Sequence, residues 1–225
     1  MAPVFILITI AVIMALSSTY ANDNNPLQDF CVAVPDASAA VFVNGKICKN
    51  PKLVTTDDFV ATGFEVPANT TNRLGFGAAT ADVNKIPGLN TLGLTLMRFD
   101  IESNGVVPPH IHPRATEMFV IVEGTFYAGF VTSNPSDGTK NKLFARDLNP
   151  GDVFVVPPGL VHFVRNVGNT KGLAYVAFNS QNPGFIAVTT SVFGTNPLIS
   201  TEVLTKSFQL DKKTIDYLQS KFGGY

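Results

Sequence analysis

The chain has 225 residues, a formal net charge of −1, two cysteines and only three histidines. A near-neutral balance with no basic stripe excludes a partner held by a positive patch, which removes nucleic acid and anionic membrane surfaces. Forty-five per cent of the residues are hydrophobic, enough to build a sizeable core in one domain.

Residues 1–21 (MAPVFILITIAVIMALSSTYA) form an apolar run closed by small residues. It reads as a secretory signal peptide with Ala21 last before the cut. The run lacks a basic start beyond the terminal amine and is near the lower length limit for a span, so an uncleaved anchor is the minor alternative. No second long apolar run follows, and residues 22–225 are expected to form a single secreted domain with no membrane span after cleavage. In an oxidising compartment the even count, Cys31 and Cys48, favours a disulfide over two thiols. Such a bridge would contribute roughly 3 kcal/mol by restricting the unfolded chain. Asn69-Thr70-Thr71 is a glycan acceptor sequence, whereas the proline of Asn134-Pro135-Ser136 blocks the same reaction.

Short apolar segments then recur between Gly, Pro and Asn clusters, at 92–99, 117–122, 125–131, 152–156, 161–164, 173–178 and 185–188. Their length and β-branched or aromatic content predict strands, and the lack of interleaved helices predicts an all-β sandwich or barrel. Gly75-Phe76-Gly77 is not a nucleotide-binding loop, because Thr80 replaces the third glycine and no βαβ pattern surrounds it. In the strand at 118–122, Phe119 and Ile121 share one face, and Met118, Val120 and Val122 the other. A strand apolar on both faces needs cover on both, from a second layer or from another subunit. At the C-terminus Asp211 is placed to cap a helix over DKKTIDYLQSKF, with Ile215, Leu218 and Phe222 on one side.

Chemistry concentrates in PPHIHPRATEMFVIVEG, residues 108–124, and GDVFVVPPGLVHFVRN, residues 151–166. His110 and His112 are two apart, so on an extended segment both rings face one way. Glu117 would face the wrong way on an unbroken strand, and Pro113 predicts a kink that resets the direction. Pro157-Pro158-Gly159 predicts a turn that presents His162 on the next strand. Any one histidine is more often structural than a ligand, but all three of the chain fall in these two segments. Three neutral imidazoles and a carboxylate suit a divalent transition metal with open positions, and this donor set does not separate manganese from zinc or iron. Glu123 reads as a solvated turn residue, and Arg114 is the other nearby charge. No serine, histidine and acid grouping remains for nucleophilic catalysis.

At these residues the chain resembles the plant germin-like proteins of the cupin superfamily. The family's first box appears as His110-Ile111-His112, Glu117 and Gly124, and its second as Gly151, Pro157, Gly159, His162 and Asn166. PLQDFCVA, NGKICKNP, FNSQNPG and FGTNPLIS extend the likeness over the rest of the chain beyond the signal peptide. The departures are Gly105 one position closer to the histidines, with Asn104 at the usual place, and Asn149-Pro150-Gly151-Asp152 where many relatives carry an Arg-Gly-Asp or Lys-Gly-Asp/Glu run. The resemblance implies a cupin jelly-roll β-barrel with a small C-terminal helical segment. It also implies a manganese ion on His110, His112, Glu117 and His162, and a homohexamer built as a trimer of dimers clasped by C-terminal helices. It places the protein outside the cell, in the apoplast or cell wall.

Some relatives oxidise oxalate, others dismute superoxide, and others have no established reaction. Oxalate-oxidising germins carry asparagines near the metal where this chain has Met97 and Val107. Apolar groups there leave a dicarboxylate's oxygens unpaired at a cost of a few kcal/mol. Superoxide dismutase-type activity is the expectation and oxalate oxidation is not. The alternatives are a non-catalytic, metal-stabilised extracellular binding or structural protein and, on spacing alone, a zinc hydrolase.

Overall fold

A computed structural model describes residues 32–34 and 46–223. The expected signal peptide and Cys31 lie outside the described residues. Among the described residues ten strands form: β1 (Phe76–Ala81), β2 (Thr95–Ile101), β3 (Val106–Ile111), β4 (Glu117–Glu123), β5 (Phe126–Val131), β6 (Leu143–Leu148), β7 (Val153–Val156), β8 (His162–Asn166), β9 (Gly172–Phe178) and β10 (Ile186–Ala187). They make two five-stranded antiparallel sheets, ordered β1-β2-β9-β4-β7 and β10-β3-β8-β5-β6. The all-β expectation holds.

Alternation along the strands explains where the core sits. On β4 the side chains of Glu117, Phe119 and Ile121 are buried while Met118 and Val122 are exposed, the period of two that points neighbours to opposite faces. Phe99, Ile101, Phe119, Ile121, Val176 and Phe178 of the first sheet meet Val107, Phe126, Ala128 and Val164 of the second in one apolar cluster. Three strands escape sequence reading for different reasons. β1 is built of small residues (FGAATA) and β6 is an edge strand with mostly exposed side chains (LFARDL). β3 contains Pro108 and Pro109, which cannot donate to a ladder, and its register against β8 shifts between Val107 and His110.

Three helices follow the barrel: α1 (Val188–Phe193), α2 (Thr201–Phe208) and α3 (Lys212–Phe222). The strand expected at 185–188 is therefore only two residues long before α1 begins. Asp211 caps α3 as predicted, accepting from the Thr214 amide at 2.9 Å. Ile215, Leu218 and Phe222 pack with Phe193 and Leu204 of the other two helices. No helix among the described residues is long and apolar enough to cross a membrane.

The outer face of the first sheet has two different fates. Segment 64–68 crosses part of it and buries an ion pair. Arg98 donates through Nε and Nη2 to the two carboxylate oxygens of Asp100 at 2.8 and 2.9 Å, and through Nη1 to the Glu65 carbonyl at 2.9 Å. Asp100 also accepts from the Ala68 amide at 2.7 Å. Burial alone would raise the Asp100 carboxyl, but Arg98 and the Ala68 N–H hold it below the ordinary carboxylate range. The rest of the face is bare. Leu96, Met118, Val153 and Val155 are 41–56% exposed, and the registers align Leu96, Ala177, Met118 and Val155 in one row across four strands. Among the described residues, no second layer of this chain supplies the cover that β4 needs.

Asp100→Ala leaves the Arg98 guanidinium buried without its counter-charge, and a loss of about 3–5 kcal/mol in unfolding free energy is expected. Denaturant titration checks it, and a loss below about 1 kcal/mol, the range of an exposed pair, would show that this pair is not desolvated.

Candidate metal centre

The two histidine segments meet because each crosses from one sheet to the other. His110 lies on β3 and His112 one residue past its end; the chain then turns at Pro113 and Arg114, changes sheet, and opens β4 with Glu117. The direction of Glu117 is thus set by a change of sheet, not by a kink within one strand. The bulge of β3 falls on the other side of the histidines. In the second segment β7 belongs to Glu117's sheet, and the Pro-Pro-Gly turn returns the chain so that His162 starts β8 directly opposite His110. Gly159 takes a left-handed φ of +76°, which favours glycine, and its amide donates to the His112 carbonyl at 3.0 Å. That bond ties one motif to the other.

Three imidazoles from one sheet and a carboxylate from the other converge, with their donor atoms within 4.8 Å of one another and all four residues buried. The Nδ1 of each ring is bonded to a backbone carbonyl: His110 to Pro108 at 2.8 Å, His162 to Leu160 at 2.9 Å, and His112 to Gly184. A carbonyl oxygen only accepts, so Nδ1 carries the hydrogen in each ring and a neutral ring turns its Nε2 lone pair to the centre. The result is a concentration of lone pairs. His110 and His112 place their Nε2 atoms 3.2 Å apart, and Glu117 Oε2 is 3.2 Å from His112 Nε2 and 3.0 Å from His162 Nε2. Glu117 Oε1 is buried with no hydrogen-bond partner.

A proton or a metal ion at the centre would relieve that arrangement. Burial and the neighbouring His162 push His110 down to about 3, so this ring is neutral at physiological pH. Burial alone would raise the Glu117 carboxyl, but the adjoining His112 and His162 rings bring it down to about 2. The four residues therefore fit a divalent ion: neutral imidazole nitrogens held in orientation by backbone partners, an ionised carboxylate, and an orphaned oxygen.

One layer further into the barrel the surroundings turn apolar. Met97, Val176 and Phe119 align across β2, β9 and β4, two residues along from the row of Thr95, Phe178 and Glu117. Val107 and Val164 pair on the opposite sheet. Met97 and Val107 thus both lie beside the layer of the four donors. Arg114 points away from the ligands and bonds Asn182 through Nε and Nη2, each at 2.9 Å, and Glu123 is exposed at the end of β4, as expected. Asn69 is exposed, its side chain accepting from the Thr71 amide at 2.8 Å. Cys48 pairs in an isolated bridge with Ala33, which brings the chain two residues past Cys31 against it. Sequence reading missed two aromatic neighbours: Phe178 meets His112 edge-on at 4.6 Å, and Phe185 stacks on His110 at 4.7 Å. Both belong to strand-like apolar segments, with nothing in the pattern to aim them at the site.

Stability of the metal-free protein is expected to fall as pH falls. Below pH 6.5 the unfolded chain protonates His110's imidazole while the folded protein, whose value is about 3, does not. Glu117 acts in the same direction between 4.5 and about 2. Each such group removes about 1.4 kcal/mol per pH unit inside its window. Denaturant midpoints of chelator-treated protein from pH 7 to pH 4 check this, and a flat profile would refute the buried neutral imidazole.

The sequence matches the Cupin family over residues 62–216. It is 51% identical over 218 residues to germin-like protein subfamily 1 member 7 of Arabidopsis thaliana, covering 96% of this chain and 93% of that protein. Member 6 of the same subfamily is likewise 51% identical, over 97% of this chain and 95% of its own length. Among solved structures, recombinant oxalate oxidase in complex with glycolate is 42% identical, with a TM-score of 0.82 over 89% of this chain and 98% of that one. With the fold, the four-residue cluster and these likenesses together, the chain belongs to the germin-like proteins of the cupin family.

Proposed function

We propose that the chain is a secreted, manganese-binding germin-like protein of the apoplast or cell wall, with superoxide dismutase-type activity that releases hydrogen peroxide. The observation that carries this reading is the inward turn of three Nε2 lone pairs onto a buried carboxylate with one unpartnered oxygen. In the net reaction one superoxide is oxidised to oxygen, while a second takes that electron and two protons to become hydrogen peroxide. Bound manganese would supply the one-electron change between two oxidation states. The chain's own residues orient the donors, keep His110 neutral and surround the centre with low-dielectric walls. Nothing in this reaction requires a group that pairs with an organic substrate.

Oxalate asks for more. Its two carboxylates would face the layer of Met97 and Val107, where the buried side chains offer no hydrogen-bond donor. A likeness to oxalate oxidase in backbone therefore does not carry its substrate to this chain. The second reading is a non-catalytic extracellular binding or structural protein in which the ion stabilises the barrel, favoured by the burial of all four ligands.

The bare row of Leu96, Met118 and Val155 supports an assembly of several copies, for which a homohexamer is the proposed form. The Ala33 and Cys48 bridge supports a Cys31–Cys48 disulfide, and the exposure of Asn69 supports glycosylation there.

Elemental analysis of the secreted protein is expected to give about one manganese per chain, four donors making one site. Dismutase activity is expected to disappear on chelation and return with manganese, and oxalate is expected to yield no peroxide. Manganese at full occupancy without activity would select the binding protein, and zinc in its place would refute the redox chemistry. Glu117→Gln is expected to lower metal content severalfold or more, the loss of a charged donor costing at least as much as a lost supporting partner.

A further inference from the structure

We infer that Phe185 is the gate of the candidate metal centre: its ring covers the solvent side of the imidazoles and restricts access to the ion to very small ligands. The inference rests on the proposal that this cluster holds a metal ion, but not on which metal or on catalysis.

Phe185 is 56% exposed, yet its ring contacts two buried ligands. It stacks on His110 at 4.7 Å with an interplanar angle of 29° and meets His112 at 5.9 Å and 60°. His162 lies against His110 at 3.9 Å, so the ligand rings lie between the barrel interior and this phenyl group. A large apolar side chain left half in water at the edge of a buried polar cluster gains little from the hydrophobic effect on its outer side. What it does there is separate the imidazoles from solvent.

The backbone holds the ring in that place. The Gly184 carbonyl accepts from His112 Nδ1, and the Arg114 amide donates to the Pro183 carbonyl at 3.2 Å. Arg114's guanidinium grips Asn182 twice, and on the far side Ile186 and Ala187 pair with Ile111 and His110. Gly184 has a φ of +72°, and a Cβ there would lie 2.9 Å from Arg114 Nη2 and 3.0 Å from Pro113 Cγ. The segment is strapped at both ends, so the phenyl ring can swing on its own χ angles while its backbone stays fixed. A diatomic or triatomic ligand needs little displacement of the ring; a dicarboxylate or a chelator needs the stack on His110 broken. Phe185 is in this sense a specificity-determining residue that acts by exclusion, outside the apolar layer of Met97 and Val107.

The test uses the full-length secreted protein loaded with manganese or, for an absorption signal, with cobalt(II). Phe185→Ala is expected to lose metal to excess EDTA roughly three- to tenfold faster than the parent, the range for breaking one ring stack. Phe185→Leu, which keeps an apolar cover, is expected to fall between the two. In the cobalt(II) protein, azide is expected to perturb the spectrum of parent and variant alike, whereas benzohydroxamate, a bulky chelator with an apolar ring, is expected to perturb only that of Phe185→Ala. Equal chelation rates in all three proteins, or a benzohydroxamate response already present in the parent, would overturn the gate. So would a variant that changes assembly in size-exclusion chromatography with parental chelation rates, which would assign the ring to an interface. Failure of the chain to take up any divalent ion would instead overturn the metal-centre reading beneath it.

Discussion

Four electron-pair donors turned on one point repel one another, and the surrounding structure exists to hold them there. Free imidazoles and a carboxylate in water would rotate apart or take up protons. Here His110, His112 and His162 cannot rotate, because each Nδ1–H is bonded to the carbonyl of Pro108, Gly184 or Leu160. Burial removes the water that would otherwise solvate the charge on Glu117. The site is thus electrostatically incomplete by construction, and the packing of two sheets supplies the free energy that keeps it so.

The topology is suited to that task. Each sheet alone could present ligands on one inner face only, from a single direction. By changing sheet between His112 and Glu117, and again between Val156 and His162, the chain places nitrogen donors on one wall and an oxygen donor on the other. The Gly159 amide on the His112 carbonyl then fixes the two crossings to each other. Core residues Phe119, Val164 and Val176 fill the next layer, so a displacement of any ligand would have to open the core behind it.

Much of this was legible in the sequence because the ligands are rare residue types in short segments. The strands around them have strong β-branched or aromatic content, and α3 carries its own cap in Asp211. What was not legible was relational. Sequence alternation expects a strand that bends at Pro113, whereas the chain leaves one sheet and starts another. β3 was hidden by its two prolines, whose missing donors are absorbed by a register shift. β1 and β6 lack apolar patterning because small or exposed side chains suffice at those edges. The two-sided apolar pattern of β4 gives an expectation of cover, and only the registers show Leu96, Met118 and Val155 as one bare row. Phe185 was seen as part of a strand, and its position over His110 depends on Gly184 and on contacts made more than seventy residues apart in the chain.

The backbone partners of the three imidazoles also bear on how such a protein can change over evolutionary time. In many metal sites the group that orients a ligand histidine is itself a side chain, and one codon change can delete it. Here that role falls to peptide carbonyls, which every amino acid possesses. Mutational drift in the neighbouring positions can then alter size, polarity and access without touching the aim of the donors. The barrel is in this respect a robust holder with an evolvable lining, and positions such as Met97 and Val107 are free to be sampled for new chemistry while the aim of the four donors is inherited unchanged.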